Sequence, residues 1–122
     1  MRGYVLACLW AMLAACLDPG RAAAQSNYGA IAYSPSTRAI GWSYDHGSRG
    51  AAEDAALVNC RKQANDCVTH WFRDACGALA VGPKGYGMAA GADRSLAESN
   101  AISSCQRWST DCAIKQWVCT TR

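Results

Sequence analysis

One cysteine spacing occurs twice in this chain, and it limits the fold more than any other feature. Cys60 and Cys67 lie seven residues apart, and so do Cys105 and Cys112, 45 positions later. Each pair starts where a helix-period pattern ends, and each closes on an Asp-Cys step, Asp66-Cys67 and Asp111-Cys112. The flanking residues repeat as well. Gly29-Ala30-Ile31-Ala32 returns as Gly77-Ala78-Leu79-Ala80, Pro35 as Pro83, Gly41-Trp42 as Gly87-Met88, and Ala52-Glu53 as Ala97-Glu98. The offset slides from 48 to 45, so the second copy is shorter in its hairpin. Self-similarity of this kind marks a duplicated supersecondary unit. The copies cover about 28–74 and 76–119.

Each copy reads as hairpin, helix, strand. Tyr28–Tyr33 and Ala39–Tyr44 flank the turn cluster Ser34-Pro35-Ser36-Thr37, where proline presets φ. Gly77–Val81 and Tyr86–Ala90 flank Gly82-Pro83-Lys84-Gly85 in the second copy. Ser48 and Asp93 are N-cap residues by type and place. The helix after Ser48 carries Ala52, Ala55, Ala56 and Cys60 on one stripe. The helix after Asp93 carries Ala97, Ala101, Cys105 and Trp108. Val68–Arg73 and Ala113–Val118 are rich in aromatic and β-branched residues and read as closing strands. The expected fold is α+β: two tandem ββαβ units related by a pseudo-two-fold, antiparallel sheet with two helices packed on it, braced by disulfides. Most aromatics, including at least one of Trp71 and Trp117, are expected in the core.

The first 24 residues read as a signal peptide. Arg2 supplies the positive start, Tyr4–Leu17 an apolar stretch too short for a usual membrane span, and Ala22-Ala23-Ala24 a small-residue cleavage site. Cleavage after Ala24 leaves one exported domain, 25–122, secreted or periplasmic. The alternative is a lipobox, Leu13-Ala14-Ala15-Cys16, with a lipid anchor on Cys16. Six cysteines remain in the mature domain, an even number in a short exported chain, which reads as a disulfide framework. Sequence alone does not choose among the pairings. The repeat favours Cys60–Cys67 and Cys105–Cys112, leaving Cys76 to join Cys119 across the two halves. That last bridge closes a long loop and stabilises by about 4 kcal/mol on the chain-entropy model.

The exported domain has ten basic and eight acidic residues, net +2. This is too mild to point to nucleic acid or an anionic membrane surface. No Cys-x-x-Cys occurs, and the histidines lack ligand spacing, so neither a metal nor a cofactor is expected. Gly82-Pro83-Lys84-Gly85 is a hairpin turn, too short for a phosphate-binding loop. His46 follows Asp45 in a polar segment before a helix cap. His70 sits on a strand with Val68 and Phe72 on its face. Glu53 with Glu98, and Asp66 with Asp111, fill matched slots in both copies, where a structural role is the simpler explanation. No catalytic residue is assigned. Trp42 and Tyr44 share a strand face, His46 follows in the same parity, and Arg38 and Arg49 lie nearby in sequence. Together they form a candidate binding patch of the composition favoured at protein interfaces.

Tyr33-Ser34-Pro35, Ile40-Gly41-Trp42-Ser43, Ala52-Glu53, Ala55-Ala56 before Asn59-Cys60, and the run from Cys76 to Gly82 resemble the bacterial family called domain of unknown function 4189. The similarity extends from about Tyr28 to Cys119. It implies a small exported bacterial protein with a tandem repeat and brings no mechanism. The expected function is a non-catalytic binding protein of the envelope or exterior with an unknown protein partner, such as an inhibitor or immunity protein against a toxin or wall-degrading enzyme. The alternatives are a secreted effector or small hydrolase, and a structural envelope component.

Overall fold

A computed structural model describes residues 26–121. The expected signal peptide and the Cys16 lipobox lie outside the described residues. The elements are β1 Tyr28–Tyr33, β2 Ile40–His46, α1 Arg49–Arg61, β3 Val68–Arg73, β4 Cys76–Gly82, β5 Gly85–Gly91, α2 Arg94–Cys105 and β6 Ala113–Cys119. They make two ββαβ units of α+β class. The antiparallel strands divide into two three-stranded sheets, ordered β2-β1-β3 and β5-β4-β6, with the first strand of each unit at the centre.

Both helices begin as their caps dictate. The Ser48 hydroxyl accepts from the Ala51 N–H at 3.1 Å, and Asp93 accepts from the Leu96 N–H at 2.8 Å. Their buried stripes, Ala52–Ala56–Cys60 and Ala97–Ala101–Cys105, face alanines of the central strands: Ala30 and Ala32 under α1, Ala78 and Ala80 under α2. Alternation sends the larger residues of the same strands to the other side. There Ile31, Tyr33 and Phe72 from the first unit meet Leu79, Val81 and Val118 from the second in one cluster. The layers are therefore helix, sheet, sheet, helix.

Glycine allows two close approaches. A Cβ on Gly41 would overlap the carbonyl oxygen of Ala56, and one on Gly87 would meet the backbone of Ala101 and Cys105. These matched glycines let each helix lie directly on an outer strand. Between the sheets, the Phe72 ring occupies the space that side chains on Gly29 and Gly77 would need.

All six cysteines of the described domain are bridged: Cys60–Cys67, Cys105–Cys112 and Cys76–Cys119. The first two tie each helix end to the following strand. The third differs in kind from the expectation. Cys76 and Cys119 are cross-strand partners in β4 and β6, so the bridge lies within the second unit and does not link the halves. The halves are joined by the shared core and by the end of the second unit, where the Thr121 N–H donates to Asp45 of the first at 2.9 Å.

Two aromatic expectations are corrected. α2 stops at Cys105, whose carbonyl accepts from the Trp108 and Ser109 N–H groups, so Trp108 lies beyond the helix and is 70% exposed. Trp71 and Trp117 are exposed as well. Small residues leave too little depth between helix and sheet to hold an indole. Each tryptophan instead lies outside, under the arginine that opens its unit's helix: Arg49 over Trp71 at 4.9 Å, Arg94 over Trp117 at 4.0 Å. The same arginines pair with Glu53 at 2.6 Å and Glu98 at 2.5 Å, a helical i,i+4 spacing.

Gly41→Ala and Gly87→Ala are expected to destabilise the domain by about 1–3 kcal/mol each, because the new methyl meets rigid helix backbone. Gly50→Ala, in α1 with open space around its Cα, is expected to stabilise by up to about 1 kcal/mol. Denaturant titration of the three variants checks both signs. Replacing Cys76 and Cys119 together by alanine is expected to cost about 4 kcal/mol, against roughly 2 kcal/mol for either seven-residue bridge. Calorimetric melts of the paired variants test that order.

Candidate functional site

β2 is an edge strand, and its alternation decides what it presents. Gly41 and Ser43 point towards α1, where the Ser43 hydroxyl donates to the Ala52 carbonyl at 2.6 Å. Trp42 lies opposite Ile31, so it shares the face that looks towards the second sheet. Only its position at the sheet edge leaves it 46% exposed, with Tyr44 at 49%. The two side chains stand two residues apart on one strand face, open to solvent.

The rest of the expected patch is dispersed. A bulge between Tyr28 and Ala30, with Asp45 at φ 57°, brings His46 opposite Tyr28 and out of step with Trp42 and Tyr44. Arg49 is held by Glu53 and Trp71 at the start of α1. Arg38, at φ 65°, sits in the turn at the far end of β2. A seven-residue strand separates the two arginines by about 20 Å. Trp42 and Tyr44 are the part of the patch that the fold keeps together.

The carboxylates are engaged in local structure. Glu53 accepts from Arg49 and Thr69, and the Thr69 hydroxyl, followed by Arg49, holds its carboxyl below the usual range. Asp66 accepts from the Ser34 hydroxyl at 2.5 Å and the Ser36 N–H at 3.1 Å, which lowers its carboxyl in the same way. Asp93 is an N-cap, and Glu98 pairs with Arg94. Glu53, Glu98 and Asp66 thus carry structural work, and Ser34, which holds Asp66, has no counterpart in the second copy. The second copy has Gly82 there, and Ser109 supplies the hydroxyl from the opposite side, accepting from the Lys84 N–H at 3.0 Å.

His70 faces a cleft of about 500 Å³ with Lys84, Tyr86 and Trp108, and no carboxylate lines it. Among the described residues, no group of three or more His, Cys, Asp or Glu is arranged to hold a metal ion. Nor is any helix there long and apolar enough to cross a membrane. The sequence places Lys84 in a turn, Trp108 on a helix stripe and His70 on a strand face with Val68 and Phe72, and only the packing of the two units brings His70 to the other two. The available signal was mismatch between copies: His70 has no histidine counterpart, and Gln63 stands at the matched position of Trp108.

Burial holds the His70 imidazole below its usual value of 6.5. The unfolded chain takes up a proton at the ordinary value, whereas the folded chain resists it. The stability associated with His70 is therefore present above about pH 6.5 and falls as the pH drops through the depressed value. His70→Gln is expected to flatten the stability profile between about pH 7 and 5. Urea titrations of both proteins across that range measure it.

Three disulfides in so small a domain fit an oxidising compartment outside the cytoplasm. The fold is similar to that of Rv1813c from Mycobacterium tuberculosis, determined by NMR. The TM-score is 0.61 at 33% sequence identity, covering 77% of this chain and 75% of that one. No curated protein matches the chain significantly. The family model for the domain of unknown function DUF4189 matches residues 28–119, both repeats from the first residue of β1 to the last of β6, and the chain belongs to that family.

Proposed function

We propose that this chain is an exported, non-catalytic binding protein of the bacterial envelope or exterior, and that a protein partner packs on Trp42 and Tyr44. Residues 1–24 act as the signal peptide, cleaved after Ala24, and 25–122 form the working domain. The partner is of the kind that an inhibitor or immunity protein meets, a toxin or a wall-degrading enzyme.

One observation carries this reading. The domain builds its core from alanine, a few aliphatic residues, Tyr33 and Phe72, yet leaves Trp42 and Tyr44 about half exposed on one face of an edge strand. Fully burying a large apolar side chain stabilises by about 1.5–3 kcal/mol or more. A surface placement forgoes much of that, and a partner covering the pair recovers it. Tryptophan and tyrosine are the residues that dominate binding energy when so covered. Pairing with β1 along its length and the Ser48 cap that follows it hold β2 in place, which lowers the ordering cost of association.

The test is capture with oxidised 25–122 from envelope extract and culture supernatant, with partners identified by mass spectrometry. The expected result is one saturable protein partner whose affinity falls roughly thirtyfold or more when Trp42 and Tyr44 are changed to alanine, with an unchanged melting temperature. A partner that binds the double variant equally well, or no saturable partner, rules the reading out.

A further inference from the structure

The seam between the two units opens into a groove on the side away from Trp42. Its first part, about 500 Å³, is lined by His70 of β3, by Lys84, Tyr86 and Met88 along the second hairpin, and by Ser104 and Trp108 after it. Through Lys84 and Tyr86 it continues into a hollow of about 320 Å³, where Tyr33, Pro35 and Arg38 from the first unit face Pro83. Both volumes lie in the range of small-molecule sites.

The charge is one-sided. No aspartate or glutamate lines either part, and Lys115 joins Arg38 and Tyr33 around a smaller adjoining cavity. Among the described residues, neither Lys84 nor Arg38 belongs to an ion pair. Burial raises the Tyr33 phenol, against the lowering effect of Arg38, so it keeps its proton and can donate. The walls are aromatic. The Tyr33 and Tyr86 rings pack at a tilt with centroids 5.0 Å apart, and Trp108 is 70% exposed.

The duplication provides an internal control. Whatever the fold demands of one unit it demands of the other, and the groove residues differ at matched positions. Opposite Ile31 stand Trp42 and His70, whereas opposite Leu79 stand Met88 and Gln116. Trp108 matches Gln63 by the 45-residue offset. The substitutions open a cleft at one seam, edged with an indole and an imidazole that sheet packing does not require.

We propose that this groove binds a small organic anion carrying a planar ring, with a phosphate or carboxylate held by Lys84, Arg38 towards its far end, and the ring against Trp108. Charge-assisted hydrogen bonds from a cationic, acid-free lining favour the anionic head. The exposed indole supplies a flat apolar face for the ring. The site is separate from the Trp42–Tyr44 surface and stands or falls without it.

Calorimetry and tryptophan fluorescence on oxidised 25–122 test this with four probes: phenyl phosphate, benzoate, inorganic phosphate and phenol. At least one of the two aryl anions is expected to bind saturably, more tightly than inorganic phosphate or phenol, and the better of them identifies the head group. Lys84→Ala is expected to weaken that probe roughly tenfold or more, and Lys84→Arg to retain it, both with unchanged melting. Trp108→Ala is expected to abolish most of the fluorescence change and the advantage over inorganic phosphate, whereas Trp42→Ala changes neither. No saturable binding of either aryl anion at millimolar concentration overturns the proposal. So does phenol binding as tightly as the aryl anions, or unaltered affinity in Lys84→Ala.

Discussion

β1 and β4 are buried on both faces, and much else in the structure follows from how they manage it. A strand covered on two sides must satisfy two neighbours with alternate residues. Here one set is alanine, against a helix, and the other is isoleucine, leucine, valine and tyrosine, against the opposite sheet. Alanine on alanine brings each helix close to its sheet, and Gly41 and Gly87 extend that closeness to the outer strands. With so little depth on the helix side, the large apolar contacts concentrate between the sheets. That shared layer joins the two units, since each covers the other's inner face.

This division of space also accounts for the tryptophans. The layer between helix and sheet holds no room for an indole, and the layer between the sheets is filled by Phe72 seated against Gly29 and Gly77. Trp71 and Trp117 then become outer plates beneath Arg49 and Arg94, and Trp42 and Trp108 lie at the seams. The disulfides act on a different weakness. A domain with so much alanine in its core gains less from burial than one built on leucine, and covalent ties at each helix end and across β4–β6 offset that deficit.

The matched positions of the two units separate fold from function in a way a single copy would not permit. Arg49 with Glu53 and Arg94 with Glu98, the caps Ser48 and Asp93, and the glycines at 41 and 87 recur because each unit needs them. Trp42 against Met88, His70 against Gln116 and Trp108 against Gln63 do not recur, and they collect at the two seams. One seam presents an exposed aromatic pair on an edge strand, and the other a basic, aromatic cleft. The pseudo-symmetry supplies the frame and its exceptions supply the surfaces.

Local chemistry was enough to define the duplication, the strand and helix order, both N-caps and the two seven-residue bridges that the repeat favours, because each rests on neighbours in sequence: a period, a cap residue, a recurring spacing. The partition of the strands into two sheets, the confinement of Cys76–Cys119 to the second unit, and the exposure of the tryptophans were decided by tertiary packing. They depend on how much space lies between layers, which is a property of pairs of elements and not of any one segment. The binding patch shows the same limit. Parity along β2 placed Trp42 beside Tyr44, but a bulge at Asp45 removed His46, and strand length parted Arg38 from Arg49. The cleft that joins His70 to Lys84 and Trp108 exists only because two sheets meet face to face, bringing together residues that no spacing in the chain relates.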